Sequence, residues 1–295
     1  MMPGYIINKT QYQFFAKQLS QAINRVKKNK SCEWIVAQHR LGKIAYGEWV
    51  YTEQDRRDII DLVKSQLHVD LLYDAYPEKT ARVTRANTFN DEKPHTLAVS
   101  HDFVLVNSLN TLQINHTNIL LSELQSLGLY LDANSVTSIE HRCIVLVENL
   151  SVMANLASLN FSPEHDFLKN ALWLYRGDIK AQQTTSMAYQ FFRRFKDSHQ
   201  LVCFADFDPK GIEITLTSGA EYFIAPTVES IKTFHATGAD IDYFKQDSAR
   251  TYIAKYQSDS LKILQLYSLM SAQRKTIKQE HMLAKALTLS VSKLN

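Results

Sequence analysis

Residues 201–212 read Leu201-Val202-Cys203-Phe204-Ala205-Asp206-Phe207-Asp208-Pro209-Lys210-Gly211-Ile212, and this stretch decides the fold of the second half of the chain. Its first residues form an apolar run that predicts a buried strand. Side chains alternate in an extended backbone, so we expect Asp206 and Asp208 to point the same way. Two carboxylates this close raise each other's pKa unless a cation neutralises them. Mg²⁺, which prefers oxygen ligands, therefore suits the pair.

Two further apolar runs precede this stretch. The first, Cys143-Ile144-Val145-Leu146-Val147, ends at Glu148, and the second, Ala171-Leu172-Trp173-Leu174-Tyr175, ends at Arg176-Gly177. Met187, Phe191 and Phe195 then recur every four residues, which predicts a helix. The carboxyl ends of parallel strands face one crevice, so we expect Glu148 to lie near the two aspartates. The order of these elements predicts an α/β domain.

The order strand with Glu, strand with Gly, strand with Asp-x-Asp-Pro-x-Gly resembles the Toprim domain. The run Asp206-Phe207-Asp208-Pro209-Lys210-Gly211-Ile212-Glu213-Ile214 is especially similar to topoisomerase VI A subunits and the related meiotic break-forming proteins. The resemblance covers the chain from about Arg142 onward. It implies a Rossmann-like, mostly parallel sheet and DNA phosphodiester cleavage, with Mg²⁺ (or Mn²⁺) held by Glu148, Asp206 and Asp208. Glu148 would be a metal ligand or a general acid/base.

A second resemblance lies near the end of the chain. Lys278-Gln279-Glu280-His281 is similar to a Glu-Gln-Glu signature of JetD/MksG, the Toprim nuclease subunits of Wadjet-type (MksBEFG) SMC defence systems. Lys278 departs from the signature, because it stands where the family has its first Glu. The resemblance implies that Glu280 is a further metal ligand. It also implies a Mg²⁺-dependent DNA endonuclease that is a homodimer and the effector subunit of an SMC and kleisin plasmid-defence complex.

Each motif also has a purely structural interpretation. Asp-Phe-Asp-Pro-Lys-Gly fits an ordinary turn in which one aspartate caps a helix and Pro-x-Gly supplies the bend. Glu148 fits a solvated strand end, Gly177 a plain turn glycine, and Glu280 an exposed helical glutamate among lysines. Only the joint order and spacing of the motifs favour the metal site.

The nature of the attacking group is a separate question. In topoisomerase VI-like proteins the nucleophilic tyrosine follows an Arg-Asp/Glu pair, and the nearest match here is Arg56-Arg57-Asp58-Ile59-Ile60-Asp61. Ile60 and Asp61 stand where the family has tyrosines, which favours hydrolysis by water. Two alternatives stay open. One is a topoisomerase VI A-like transesterase that uses Tyr46, Tyr51 or another tyrosine, and the other is a catalytically silent, DNA-binding Toprim scaffold.

The first part of the chain predicts a small α+β domain that contains a winged helix. Periodic apolar residues predict helices over residues 10–29, 53–67 and 117–127, and residues 128–131 predict a strand. Phe15, Leu19, Ile23 and Val26 would form the inward stripe of the first helix.

These elements suggest two domains. We expect an N-terminal DNA- or partner-binding domain at residues 1–138 and a Toprim catalytic domain at residues 139–295. The catalytic domain would end in helices, from about Tyr243 onward, that cover its sheet.

The charge of the chain is close to balance, with 33 basic and 30 acidic side chains and a net charge of +3. Any DNA-binding face must therefore be a local patch. Candidates for phosphate contact are Arg176, Lys210, Lys79, Arg82 and Arg85. The last three recur every three residues, a spacing that is equally typical of a solvated basic face.

The sequence also bears on the compartment. No apolar run approaches the roughly twenty residues of a membrane helix, and no signal-peptide core is present at the N-terminus. The three cysteines, Cys32, Cys143 and Cys203, form no Cys-x-x-Cys motif. We therefore expect a cytoplasmic protein with no membrane partner.

Overall fold

The computed structural model describes residues 6–21, 23–78, 100–121, 126–177, 185–235, 241–256 and 262–294. The chain divides into two compact units, Met1–Val99 and Ser100–Asn295. This division lies earlier than the boundary expected after residue 138. The reason is that strands at residues 103–107 and 129–132 pair within the large sheet of the second unit.

The first unit combines three helices with a small antiparallel sheet in its described residues. The elements are α1 (Lys9–Leu19), β1 (Arg25–Lys27), α2 (Lys30–His39), β2 (Lys43–Ala45), β3 (Glu48–Val50) and α3 (Glu53–Leu67). The strand order is β1-β3-β2, and Trp49 of β3 is fully buried against Phe15 of α1. Helix α3 has the bounds that its apolar spacing predicts, and Thr52 caps it with a reciprocal bond to Asp55.

The long first helix expected over residues 10–29 is wrong. Helix α1 ends at Leu19, and residues 25–27 leave the helical path to pair with β3. Asn29 then starts a new helix, because its side chain accepts hydrogen bonds from the N–H groups of Ser31 and Cys32. Ile23, expected on the buried stripe, is exposed.

The second unit contains a seven-stranded mixed sheet in the part of the chain that is described. Its strands and those of a neighbouring hairpin are β4 (Phe103–Asn107), β5 (Thr111–Ile114), β6 (Thr117–Leu120), β7 (Leu129–Asp132), β8 (Cys143–Val147), β9 (Leu172–Tyr175), β10 (Gln200–Phe204), β11 (Tyr222–Pro226) and β12 (Leu289–Lys293). The order is β12-β11-β10-β8-β9-β4-β7. The four central strands, β11, β10, β8 and β9, are parallel, and the outer strands are antiparallel to their neighbours.

The described helices of the second unit follow the strands along the chain. They are α4 (Leu150–Ala154), α5 (Thr185–Arg194), α6 (Pro209–Ser218), α7 (Val228–His235), α8 (Ile241–Phe244), α9 (Asp247–Ile253), α10 (Lys262–Gln273) and α11 (Gln279–Ala284). None of the described helices is both long and apolar enough to cross a membrane. The helices expected from Tyr243 onward are present, and α10 and α11 contribute buried side chains to one core of the sheet.

The helix expected over residues 117–127 is wrong, because residues 117–120 form strand β6. Asn115 and His116 both have positive φ, 51° and 59°, and turn the chain back so that β6 pairs with β5. Asparagine tolerates this conformation, and the Asn115 side chain accepts hydrogen bonds from Thr137 and Ser138. The described residues beyond it, 126–132, include β7, where a strand was expected.

Both faces of the central sheet are buried. Along β8, Cys143, Val145 and Val147 belong to one core, whereas Ile144 and Leu146 belong to the other. A strand that is covered on both faces can be apolar at every position, which is why β8, β9 and β10 read as unbroken apolar runs.

The topology fixes where polar residues can meet. The chain passes from β8 to β9 on one side and then crosses to β10 on the other side of β8. In open α/β sheets, ligands bind outside the carboxyl ends of the strands at the point where the strand order reverses. Here that point lies between β8 and β10, the strands that lead to Glu148 and to Asp206.

Gly211 is required at the start of α6 by packing. A Cβ atom at this position would lie 1.9 Å from the carbonyl oxygen of Asp206. The first turn of α6 therefore lies directly on the backbone of the Asp-x-Asp segment. The lack of a side chain at this position thus lets two segments of the protein's own main chain approach closely.

We predict that Gly211→Ala lowers the free energy of unfolding by about 1–3 kcal/mol, because the backbone of Asp206 must move to admit the methyl group. Urea denaturation measures this change. Thr217→Ala is the control, since Thr217 is exposed on the same helix, and its effect should stay within about 0.5 kcal/mol. Equal stability of the parent and Gly211→Ala would contradict the packing argument.

Candidate active site

Glu148 and Asp206 meet at the switch point. The N–H of Glu148 donates to the carbonyl of Phe204 at 3.0 Å, which continues the pairing of β8 with β10. The N–H of Asp206 in turn donates to Oε2 of Glu148 at 3.2 Å. The parallel register of the two strands thus brings together two acids that lie far apart in the sequence.

Asp208 is buried and caps helix α6. Its Oδ1 accepts from the N–H of Gly211 at 2.7 Å, and its Oδ2 accepts from Nε2 of Gln246 at 2.7 Å. Gln246 also accepts, through Oε1, from the N–H of Lys210 at 2.8 Å. The helix-capping interpretation of the Asp-x-Asp-Pro-x-Gly motif is therefore confirmed, and the carboxylate is held in one orientation by two donors.

The C-terminal segment is tied to the same loop. Phe207 and Ile277 exchange two backbone hydrogen bonds, of 2.8 and 2.9 Å. This bridge brings Gln279 to the acids, where its N–H donates to Oδ1 of Asp206 at 2.7 Å and its Nε2 donates to the carbonyl of Phe204 at 3.2 Å. Gln279 is fully buried by these contacts.

Glu280 lies at the same edge of the sheet. Its Oε1 accepts from Nδ2 of Asn149, the residue after Glu148, at 2.6 Å. The side chain is exposed, and its charge helps to raise the pKa of Asp206. Lys278, which departs from the family signature, instead pairs with Asp242 at 2.9 Å.

Glu148 and Asp206 are both harder to ionise than free carboxyl groups. The pKa of Asp206 is raised to about 7, chiefly by burial and in addition by the charges of Glu148, Asp208 and Glu280, while the hydrogen bond from Gln279 opposes the shift. Burial also raises the pKa of Glu148, although Arg176 acts in the opposite direction. Buried carboxyl groups with such raised pKa values are typical of functional sites.

Of the two expected phosphate contacts that the structure describes, Arg176 is the one that pairs with an acid of the cluster. Its Nη2 lies 3.1 Å from Oε1 of Glu148, and both side chains are about four-fifths buried. Tyr189 of α5 lies beside it: burial raises the pKa of the Tyr189 hydroxyl, and a hydrogen bond from Arg176 opposes that effect. Lys210 pairs with Glu213 at 2.7 Å instead.

Several contacts of the site carry no signal in the sequence. Gln246 and Tyr189 are single polar residues without a motif, and Asn149 simply follows Glu148. Gln279 lies inside the Lys278-Gln279-Glu280-His281 match, but its hydrogen bonds to Asp206 and Phe204 were not predicted. Lys79, Arg82 and Arg85, expected to contact phosphate, lie outside the described residues.

A metal ion needs several ligands that converge on one point. Within the described ranges, no group of three or more His, Cys, Asp or Glu residues is arranged in this way. The donor chemistry nevertheless fits Mg²⁺, since the acids offer carboxylate oxygens, the ligand type that this ion prefers. Two buried atoms of the site, Nε of Arg176 and Oε1 of Gln279, have no hydrogen-bond partner among the described residues.

The tyrosines named as nucleophiles have different surroundings. Tyr51 is buried and its hydroxyl donates to the carbonyl of Ile23 at 2.5 Å, so it is engaged in the core of the first unit. Tyr46 is fully exposed in the turn between β2 and β3. Ile60 and Asp61 lie within helix α3, as expected.

Fold and site together define a mixed α/β domain with a carboxylate cluster at the carboxyl ends of its central parallel strands. Residues 101–291 match the family model "Domain of unknown function (DUF7281)", so the chain belongs to this family. The match begins within one residue of the start of the second compact unit, at Ser100. Comparison with curated proteins finds no match.

The raised pKa of Asp206 predicts how stability depends on pH. The folded pKa of about 7 exceeds the ordinary value of 3.8, so protonation favours the folded state; this stability is complete below pH 3.8 and is lost as the pH rises through 7. We predict that Asp206→Asn, measured without divalent cations, removes much of this loss and is more stable than the parent at pH 8. The gain is at most about 4 kcal/mol.

Thermal unfolding at pH 5 and pH 8 tests this prediction. Asp197→Asn is the matched control, because Asp197 is exposed and precedes β10, at the opposite end of the strand from Asp206. The control should follow the parent at both pH values. An Asp206→Asn variant with the same pH dependence as the parent would show that Asp206 ionises without cost.

Proposed function

We propose that this protein is a Mg²⁺-dependent (or Mn²⁺-dependent) DNA endonuclease of the Toprim type. The observation that carries the proposal is the buried carboxyl of Asp206, whose pKa is raised to about 7 beside Glu148 at the switch point of a parallel sheet. In such sheets, ligand-binding sites form at this position. The order of the strands and the Asp-x-Asp-Pro-x-Gly motif supply the resemblance to Toprim nucleases.

The residues have distinct roles in this proposal. Glu148, Asp206 and Asp208 would hold the cation, and Glu280 would bind a second ion or orient the attacking water. A divalent ion supplies stabilisation of the charge that develops on a phosphodiester during hydrolysis. Arg176 would neutralise Glu148 while no cation is bound, and a planar guanidinium can afterwards hold a phosphate oxygen. Gln246 and Gln279 would fix the orientation of the aspartates.

The proposed partners rest on resemblance. The similarity of Lys278-Gln279-Glu280-His281 to the JetD/MksG signature supports a homodimeric effector subunit that acts with SMC and kleisin proteins against plasmids. The position of Glu280 beside Asn149, at the edge that carries Glu148, is compatible with a role for that signature in the site.

We predict that Asp206→Asn and Glu148→Gln abolish both high-affinity Mn²⁺ binding, measured by calorimetry, and metal-dependent nicking of supercoiled plasmid. Removing a charge that the cation needs should lower nicking at least about 100-fold. Asp208→Asn is a less specific variant, because both oxygens of Asp208 accept N–H bonds that hold the loop. Asp197→Asn should bind Mn²⁺ and nick plasmid like the parent, and a fully active Asp206→Asn would overturn the site.

A catalytically silent DNA-binding scaffold is the second candidate. It is favoured by the engagement of the acids with protein donors: Arg176 pairs with Glu148, and Gly211 and Gln246 each donate to one oxygen of Asp208. This candidate expects DNA binding without nicking at any concentration of Mg²⁺ or Mn²⁺.

We predict that cleavage by the parent leaves no protein attached to DNA, because water attack forms no phosphotyrosyl intermediate. Denaturing electrophoresis of reactions with end-labelled DNA provides the measurement. Label that migrates with the polypeptide would instead identify the transesterase, and substitution of each exposed tyrosine, beginning with Tyr46, would locate its nucleophile.

A further inference from the structure

Positive charge is concentrated in one part of the first unit. Residues 25–47 contain six basic side chains and one acidic side chain, Glu33, whereas the whole chain has a net charge of only +3. The basic residues are all exposed; they are Arg25, Lys27, Lys28, Lys30, Arg40 and Lys43. A nearly balanced chain therefore presents a strongly basic segment.

The strand register places three of these cations on one face of the small sheet. Arg25 and Lys43 both lie opposite Val50 of β3, and Lys27 lies opposite Glu48. Directly opposed residues of antiparallel strands point to the same side. The other side carries Trp49, which is fully buried, so the side with Arg25, Lys27 and Lys43 faces away from the core.

Ion pairing leaves much of this charge free. Glu48 lies 3.4 Å from Arg25, and Glu33 lies 3.4 Å from Lys28. Among the residues that the structure describes, Lys27 and Lys43 have no carboxylate partner. We call the surface formed by Arg25, Lys27, Lys43 and the turn at Tyr46 the basic sheet face.

The turn at the end of this face holds an unusual residue. Tyr46 and Gly47 join β2 to β3, and both have positive φ, 51° and 79°, as in a type I′ turn. That turn favours Asn-Gly, and a bulky residue in the left-handed region is strained. The tyrosine is nevertheless fully exposed and buries nothing. Because the strained conformation of Tyr46 serves no packing contact, it indicates a role for this side chain in binding.

Lys28 is bonded to the turn formed by Tyr46 and Gly47. Its backbone N–H donates to the carbonyl of Gly47 at 3.0 Å, which holds this lysine beside the turn. The exposed ring of Tyr46 thus lies in a two-residue hairpin turn, with the backbone of Lys28 bonded to that turn.

We propose that the basic sheet face is a duplex-DNA-binding surface, in which Lys27 and Lys43 contact phosphates and Tyr46 enters a groove. A two-stranded β-ribbon fits the major groove of B-form DNA, whereas the major groove of duplex RNA is too narrow for side chains to read. The choice of DNA over an acidic protein rests on the proposed function. Binding at this face needs no metal ion.

The test measures the affinity of the full chain for a short fluorescein-labelled DNA duplex by anisotropy in EDTA. Lys27→Gln/Lys43→Gln should weaken binding about tenfold or more, and should lower the slope of log affinity against log salt by about 1.8, because each lost phosphate contact removes about 0.9. The matched control is Lys17→Gln/Lys64→Gln, which removes the same charge from exposed positions of α1 and α3. Equal effects of the two double variants would overturn the assignment of this face.

Tyr46→Asn separates binding from folding. Asparagine suits the turn, so the variant should unfold at the same temperature as the parent or higher, while its affinity for DNA falls several-fold. Unchanged affinity would remove Tyr46 from the surface. Equal or tighter binding of the parent to duplex RNA would overturn the assignment to DNA.

The outcome is independent of the fate of the proposed nuclease. If the acidic site has no hydrolytic role, nicking and Mn²⁺ binding are absent, but the lysine variants still weaken binding in EDTA. If the basic sheet face is wrongly assigned, Mn²⁺ binding at the acidic site persists, and DNA affinity is the same in parent and variants.

Discussion

The parallel pairing of β8 with β10 is the constraint on which the site depends. Its register places Val147 opposite Phe204, so that the residues after the two strands leave the sheet at one level. Glu148 and Asp206 are then held together by the backbone, whatever their mutual repulsion. Burial and like charge oppose this arrangement, and the surrounding contacts offset part of that cost. Arg176 offsets the charge of Glu148, and Gln279 donates an N–H to Asp206.

The sequence predicted those parts of the fold in which local pattern and tertiary environment agree. The runs that became β8, β9 and β10 are apolar throughout because helices cover both faces of the sheet. Helix α3 combines regular apolar spacing with a capping box at Thr52 and Asp55. Strand β12 was missed, although Leu289-Ser290-Val291-Ser292-Lys293 alternates as a strand with one buried face should. The residues just before it, Met282, Leu283 and Leu287, have a helical spacing, and this favoured a helix for the whole segment.

The candidate site was predictable only where acids follow strands. Glu148, Asp206 and Asp208 could be placed together because parallel strands share a carboxyl edge, and family resemblance added Glu280. The neutral partners could not be found this way. Gln246 reaches Asp208 through the packing of a later segment, and a lone glutamine has no period or spacing that marks it. Gln279 lies in the segment that resembles the signature, but its hydrogen bond to Asp206 depends on the bridge between Phe207 and Ile277. The balance of charges around the acids depends on which residues the fold brings together, so the sequence alone could not predict it.

The structural and functional interpretations of Asp208 are compatible. As the cap of α6, the carboxylate accepts one N–H from Gly211 through Oδ1 and one from Gln246 through Oδ2. A carboxylate oxygen has two lone pairs, so each retains a free acceptor position. Capping fixes the rotamer of the side chain and places Gly211 against the backbone of Asp206. The same contacts that start the helix therefore preorganise both aspartates, and a ligand held in this way loses little entropy when a cation binds.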